Sequence, residues 1–300
     1  MTLFNIVRRN LKMFFKDKGM FLSSLITPLI LLVLYATFLA KVFKDSFLSA
    51  LPEGMEVSEK LINGTVVGQL VACLLAVSCV TVSFCANLLM IQDKANGSIG
   101  DFNVSPIKKS TIGAGYYIAS AASTLIVTFT AMIVCLLYLA TQGWYLSFVD
   151  VLLVAVDVFV LTLFGTALSS CVNFFLTTNG QASAVGTIVS AGYGFLCGAY
   201  MPISQFGSGL QKVLMFLPGT YGTSLLKNHL MRGAFEEMGN IGFPSEVVEG
   251  IKDTLDCNLY FFDNQVPVST MLIVLISSVV LFTGLFILFH IITQKRVKKG

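Results

Sequence analysis

The sequence predicts an all-α integral membrane protein, with six transmembrane helices, an N-terminal amphipathic interfacial helix, and a re-entrant helical hairpin between the fifth and sixth spans. Two observations support this fold class. Hydrophobic residues make up 55% of the chain and charged residues only 12%, against about 25% charged in soluble domains. A helix needs about 20 apolar residues to cross a bilayer. The stretches without Asp, Glu, Lys or Arg are each at least that long, namely 19–40, 61–92, 110–149, 158–211 and 264–294.

The distribution of charge orients the chain in the membrane. Residues 1–19 hold five basic side chains and one acidic one, and four basic side chains follow position 294, whereas the connections 41–62 and 204–267 are acidic overall. Basic flanks stay in the cytoplasm, so we expect a multi-pass cell-membrane protein with both termini cytoplasmic and an even number of crossings. We expect a single domain, 1–300, with spans at 20–40, 64–91, 112–140, 148–172, 182–203 and 268–292. The first apolar run is longer than the core of a signal peptide, so we expect it to remain uncleaved.

Residues 1–19 predict the amphipathic helix. Phe4, Val7, Leu11 and Phe14 recur at steps of three and four residues, with the basic side chains mostly on the other side. This pattern is typical of a helix that lies on the inner membrane surface. The alternative is a basic anchor that only orients the first span.

The second and fifth spans carry small residues at every fourth position, which predicts close helix packing in lipid. They do not identify the partner, which is another span, a second copy or a moving gate. The residues are Gly64, Gly68, Ala72 and Ala76 in the second span, and Ala182, Gly186, Ser190, Gly194 and Gly198 in the fifth.

The outer connection 204–267 begins with an apolar part interrupted by glycine and proline, including Pro218. We expect this part to dip into the outer leaflet and return, followed by an acidic, exposed cap over 235–264. Asp157 is the one acidic residue well inside a span, and buried acids in membranes are costly and often functional. It either handles cargo or protons, or pairs in its neutral form with Thr or Ser. We interpret His229 and His290 as isolated and incidental.

The sequence contains no motif for enzymatic chemistry. It lacks a phosphate-binding G-x-x-x-x-G-K-[ST] loop, a G-x-S-x-G elbow and an H-E-x-x-H site. None of the seven cysteines forms a C-x-x-C pair or a cluster with zinc spacing. We therefore expect a protein that is not an enzyme and that holds neither a metal nor a cofactor of its own.

The connection 92–106 carries a family resemblance. Its sequence, QDKANGSIGDFNVSP, resembles the signature between the second and third spans of ABC-2 type transporter permeases. Two further segments are similar in the same order: FLCGAYMPISQFGSGLQKVLMFLPGTYGTSLL at 195–226, and the basic start with Lys16-Asp17-Lys18 followed by Pro28. Gln92, Ala95 and Gly100 depart from the acidic positions of the family pattern, so the partner contact is expected to be shaped differently here.

The resemblance implies a permease subunit of an ATP-binding cassette exporter. Such subunits pair into homo- or heterodimers and bind a separate cytoplasmic ATPase, which carries ATP and Mg²⁺. Coupling to that ATPase is implied for Asp93, Lys94, Gly97, Ser98, Ile99, Asp101, Phe102, Ser105 and Pro106. The small residues of the second and fifth spans would line the path, and Pro202, Pro218 and Tyr221 would form the outer gate. The cargo class is amphipathic, drug-like, peptide or lipid-like, and includes antibiotics and glycolipid or cell-wall polymers.

Two other functions stay open at this point. A secondary carrier driven by protons through Asp157 would transport without ATP. A membrane sensor or immunity protein would bind a peptide without moving it, and would still protect the cell when the ATPase is inactive.

Overall fold

The computed structural model describes residues 3–49, 57–103 and 107–297, and the all-α prediction is confirmed across them. A π-helical segment, Tyr35–Leu39, joins α2 to α3, and a 3₁₀ turn, Ile203–Gln205, precedes α10. The helices are α1 Leu3–Lys16, α2 Lys18–Leu34, α3 Ala40–Ser49, α4 Glu59–Ala86, α5 Leu88–Ala95, α6 Ser98–Asn103, α7 Lys109–Gln142, α8 Phe148–Phe174, α9 Asn179–Leu196, α10 Ser208–Leu214, α11 Pro218–Asn240, α12 Ser245–Thr254 and α13 Val268–Val297. The strands β1 Leu259–Phe261 and β2 Asn264–Val266 pair antiparallel.

Among the described residues, four helices are long and apolar enough to cross a membrane, or five if α1 and α2 form one bent span. The four are α4 together with α5, then α7, α8 and α13. They correspond to the predicted second, third, fourth and sixth spans. The predicted fifth span, 182–203, coincides mainly with α9, which is not among them. The count of six spans therefore stays a prediction.

The N-terminal helix is set at an angle to the helix that follows. The axes of α1 and α2 differ by 73°, and Asp17 lies between them, where its Oδ1 accepts a hydrogen bond from the Met20 amide at 3.1 Å. Ile6, Asn10 and Phe14 form the buried face of α1, whereas Phe4 is exposed. This buried face packs against α7, since a Cβ at Gly115 of α7 would overlap Ile6. It shares Phe14 with the predicted apolar face, and the placement of that face on the membrane surface stays a prediction.

Helix α4 forms the centre of the molecule. Its apolar core window is 89% buried inside the chain, against 17% for α13. Small residues permit this enclosure: a Cβ at Gly64 would lie 2.9 Å from the Gly143 carbonyl oxygen, and one at Gly68 would lie 3.3 Å from the Leu230 carbonyl oxygen. An interior helix of this kind needs apolar residues on all sides, which explains why its sequence shows no polar face.

The outer connection differs from its prediction. The short pieces Ile203–Gln205 and Ser208–Leu214 are present, but α11 then runs for 23 residues and buries most of its first three turns. The cap predicted over 235–264 therefore begins inside α11, and about half of the residues after α11 are exposed. Pro218 occupies the first turn of α11, where a missing N–H costs nothing. The packing of α11 against α4 and α8 supplies the burial that stabilises a helix with four glycines. The re-entrant path of this segment through the outer leaflet stays a prediction.

Candidate functional site

The C-terminal end of the second predicted span is organised around a buried carboxylate. Asp93, in α5, is 3% exposed. Its Oδ2 lies 2.5 Å from Arg9 Nη1 and its Oδ1 lies 3.1 Å from Arg9 Nη2, which is a two-pronged contact from α1. The Tyr116 hydroxyl of α7 donates to Oδ2 at 2.5 Å. Charge-assisted, bidentate bonds of this kind are the strong ones, so Asp93 fastens α1 and α7 to α5.

The next residue along the chain fastens a fourth helix. Lys94 Nζ donates to the carbonyl oxygens of Asn173 at 3.2 Å, Phe174 at 2.7 Å and Leu176 at 3.1 Å. These carbonyls lie at and just beyond the C-terminus of α8, where the last four have no partner within the helix. The negative end of the helix dipole also favours a cation there. Lys94 therefore caps α8 from a position about 80 residues away.

The side chains of Asp93 and Lys94 both point into the molecule, where they hold the connection in place. Their role in coupling to an ATPase stays a prediction. Arg9 and Tyr116 complete the cluster, and sequence reasoning missed both. Arg9 is one of five basic residues in the first 19, and Tyr116 is one of nine tyrosines, so neither carries a sequence signal that sets it apart.

The surface next to this cluster is formed by the turn into α6 and by α6 itself. Gly97 has a φ of +79°, which permits the sharp turn between α5 and α6. Gly100 is exposed, and a Cβ built there would meet no atom within 4 Å. Phe102 is half-buried, with its ring centroid 5.3 Å from the Arg9 guanidinium carbon.

The remaining residues predicted to couple to the ATPase lie in or next to α6. Ser98 and Ile99 are half-buried in the first turn of α6, and Asp101 lies in the same helix. Ser105 and Pro106 lie outside the described residues.

A second charged cluster joins α8 to α11. The Asp157 carboxylate lies 2.5 Å from His229 Nδ1, and Asp150 Oδ1 lies 2.7 Å from Arg232 Nε without hydrogen-bond alignment. Both carboxylates are about 98% buried. The expectation that His229 is isolated was therefore wrong, as was the alternative that Asp157 pairs with Thr or Ser. Seventy-two positions separate these two residues, and only the unforeseen length of α11 brings them together.

Of the three residues predicted to form the outer gate, Pro202 lies before the 3₁₀ turn, and Pro218 and Tyr221 lie at the start of α11. Pro202 precedes the 3₁₀ turn, whose amides at Ile203 and Ser204 donate to Asp256 at 2.8 and 3.4 Å. The Tyr221 hydroxyl donates to the Met215 carbonyl at 2.6 Å. Each contact fixes the chain between the end of α9 and the start of α11.

A buried ion pair lies beneath these turns. Lys227 Nζ is 3.4 Å from Asp256 Oδ2 and donates to the Gly198 carbonyl at 3.2 Å. Burial, the largest single influence, disfavours the charged ammonium, but the Asp256 carboxylate together with other neighbouring groups favours it, and the pKa of Lys227 is raised. This pair ties α11 to the end of α9 and to the loop after α12.

The two sets of small residues occupy different surroundings. Gly64, Gly68, Ala72 and Ala76 lie on α4 and are all buried inside the chain. That they line a transport path stays a prediction. Gly186 of α9 has open space beside it, whereas a Cβ at Gly194 would overlap the Tyr200 ring of the same chain. Ala182 is buried and Ser190 is half-buried. Gly198 lies beyond the end of α9 with a φ of +71°, so its inclusion in a continuous helical stripe was wrong.

No group of three or more His, Cys, Asp or Glu residues within the described ranges is placed to hold a metal ion. A family model described as ABC-2 type transporter matches residues 1–230. None of the curated proteins compared with the chain matches it.

Proposed function

The chain belongs to the ABC-2 type transporter family, and from that premise we propose that it is the permease subunit of an ATP-binding cassette exporter. In this proposal a separate cytoplasmic ATPase binds ATP and Mg²⁺ and docks on the α5–α6 connection. The chain crosses the membrane six times with both termini inside, and pairs with a second permease chain. Its cargo is amphipathic, of drug, peptide or lipid type.

One observation carries the proposal: the α5–α6 connection is held to the protein interior by buried contacts, while its outer surface is free of contacts at Gly100. Asp93 and Lys94 hold it against α1, α7 and α8, while Gly100 leaves open space on α6. If the ATPase displaces this surface, the displacement must reach the membrane helices. A firmly anchored surface transmits such a movement, whereas a loosely held loop would move without displacing the helices.

Helix α4 supplies a route for that displacement. Together α4 and α5 span 37 residues, or about 56 Å at 1.5 Å per residue, with a break at Asn87. Its close approach to α11 at Gly68 supports transfer of movement to the outer segment. A second copy would pack against α9, where Ile188 and Phe195 are exposed.

The docking surface can be tested with one bulky substitution. Gly100→Trp adds an indole at an exposed position whose Cβ would meet no atom within 4 Å, so we expect the permease to remain folded and to lose the ATPase from detergent-solubilised complexes. Gly239→Trp is the matched control, because Gly239 is also exposed with open space around it but lies in the outer segment. Unchanged ATPase recovery with Gly100→Trp, or equal losses in both variants, would contradict the proposed surface.

The Asp157–His229 pair favours a second candidate, a secondary carrier coupled to protons. A buried carboxylate–imidazole pair is a common element of proton relays. This candidate requires transport in proteoliposomes that lack ATP, abolished by Asp157→Asn. The exporter requires ATP and retains transport in that variant.

A further inference from the structure

An apolar groove lies between the first, second and third predicted spans. It has a volume of about 290 Å³, close to the lower end of the range for small-molecule sites. Phe15 and Phe21 lie at its inner end, next to the bend between α1 and α2. Its other lining residues come from α2, α4 and α7: Leu25, Pro28, Leu29, Leu32, Leu74, Ser78, Ile126, Val127, Thr128, Thr130, Ala131, Val134 and Cys135.

The groove opens sideways to the bilayer. Leu29, Ile126 and Val134 at its mouth are each more than half exposed, and all three lie in the middle of charge-free stretches. At that depth the surrounding medium is hydrocarbon. A molecule that reaches the groove must therefore come from the membrane phase.

One polar group lies on the floor of the groove. The Ser78 hydroxyl is fully buried and has no hydrogen-bond partner among the described residues. The two other hydroxyls in the lining are satisfied within α7, Thr128 by the Thr124 carbonyl at 2.9 Å and Thr130 by the Ile126 carbonyl at 2.7 Å. In α4 the Ser83 hydroxyl likewise donates to the Cys79 carbonyl at 2.7 Å.

We propose that this groove binds an apolar, membrane-dissolved molecule that carries one hydrogen-bond acceptor, and that Ser78 donates to that acceptor. An unpaired buried hydroxyl is costly, and an acceptor on the ligand would relieve that cost. The apolar walls bind the rest of the molecule, with the Phe21 ring available for aromatic contact. That such molecules are also the cargo rests on the proposed permease function, whereas binding itself does not.

A matched pair of ligands separates the two contributions. Fluorenone and fluorene share one tricyclic skeleton and differ in a single carbonyl group. With tritiated ligands and the full chain in nanodiscs, corrected for empty nanodiscs, we expect saturable binding with about fivefold preference for fluorenone, the value of one net hydrogen bond. Ser78→Ala should remove the preference and leave fluorene binding unchanged. Ser83→Ala, the same substitution five positions further along α4, should preserve it.

A second variant tests the location of the site by changing an exposed residue instead of the buried Ser78. Leu29→Trp narrows the mouth from an exposed position and should reduce the binding of both ligands at least tenfold. Absence of saturable binding, equal binding of the two ligands, or a preference that survives Ser78→Ala would each overturn the proposal. The assay needs no ATPase, so a failed test of coupling would leave this result intact.

Discussion

Removal of the Arg9 guanidinium tests whether one ion pair fastens the N-terminal helix to the protein interior. In Arg9→Ala, the Asp93 carboxylate keeps only the Tyr116 hydroxyl as a partner. Because Asp93 is buried, water cannot fully replace the lost bonds. The helix α1 should therefore detach more often from α5 and α7.

The free energy lost in Arg9→Ala can be estimated from how deeply the Arg9 and Asp93 side chains are buried. Hydrogen bonds to charged groups contribute about 1.5–3 kcal/mol net when well formed. The Arg9 side chain is 28% exposed and that of Asp93 only 4%, so we take about 2 kcal/mol for the pair and not the larger cost of a fully buried one. That free energy corresponds to a change of about thirtyfold in the opening equilibrium.

Hydrogen exchange in nanodiscs, followed by mass spectrometry, measures this opening directly. Amides in residues 3–16 should exchange about thirtyfold faster in Arg9→Ala, while those of α13 remain unchanged. Arg8→Ala is the control, since Arg8 is the preceding basic residue and is exposed. Arg9→Lys should fall in between, because an ammonium group cannot reproduce the forked contact.

Two results would refute the reasoning. Equal acceleration in Arg8→Ala and Arg9→Ala would mean that general positive charge at the membrane surface holds α1. Strict additivity of Arg9→Ala and Asp93→Asn would mean that the two side chains do not interact energetically.

Three further predictions concern stability, each measured by thermal unfolding of the full chain in nanodiscs. Lys94→Met removes the ammonium donor from three carbonyls at the end of α8 and should destabilise by about 1–3 kcal/mol. Unchanged stability would show that Lys94 does not cap this helix. Asp157→Ala and His229→Ala should be non-additive by about 1–3 kcal/mol, and an additive pair of effects would contradict their contact. Gly233→Ala should cost about 1–3 kcal/mol because its Cβ would overlap the Tyr145 carbonyl oxygen, whereas Gly239→Ala, in open space, should be neutral or slightly stabilising.

The sequence allowed good prediction of the long apolar helices. The predicted span 148–172 matches α8, Phe148–Phe174, within two residues, and 112–140 matches α7, Lys109–Gln142, within three. Hydropathy succeeds here because hydrocarbon enforces both length and composition. Helix ends are set by capping and tertiary contacts, so 64–91 fell short of the helices that end at Ala95.

The outer segment and the polar contacts were harder to foresee. Six helix-breaking residues in 202–222 argued for short pieces, yet tertiary packing stabilises α11 in spite of its four glycines. The pairs Arg9–Asp93 and Asp157–His229 join positions 84 and 72 residues apart. Charge alone does not select such partners from one sequence. The family resemblance located the connection 92–106 but gave no indication that the side chains of Asp93 and Lys94 turn inward.

The adjacency of Asp93 and Lys94 has a consequence for how this region can vary. Successive residues on an α-helix project about 100° apart, so a single turn of backbone reaches α1 and α7 with one side chain and the end of α8 with the next. Insertion or deletion of one residue just before this pair would rotate both away from their partners at once. Natural variants should therefore tolerate changes of residue type around positions 95–100 far better than insertions or deletions before position 93. In a deep set of related sequences, gaps should appear after the pair and not just before it.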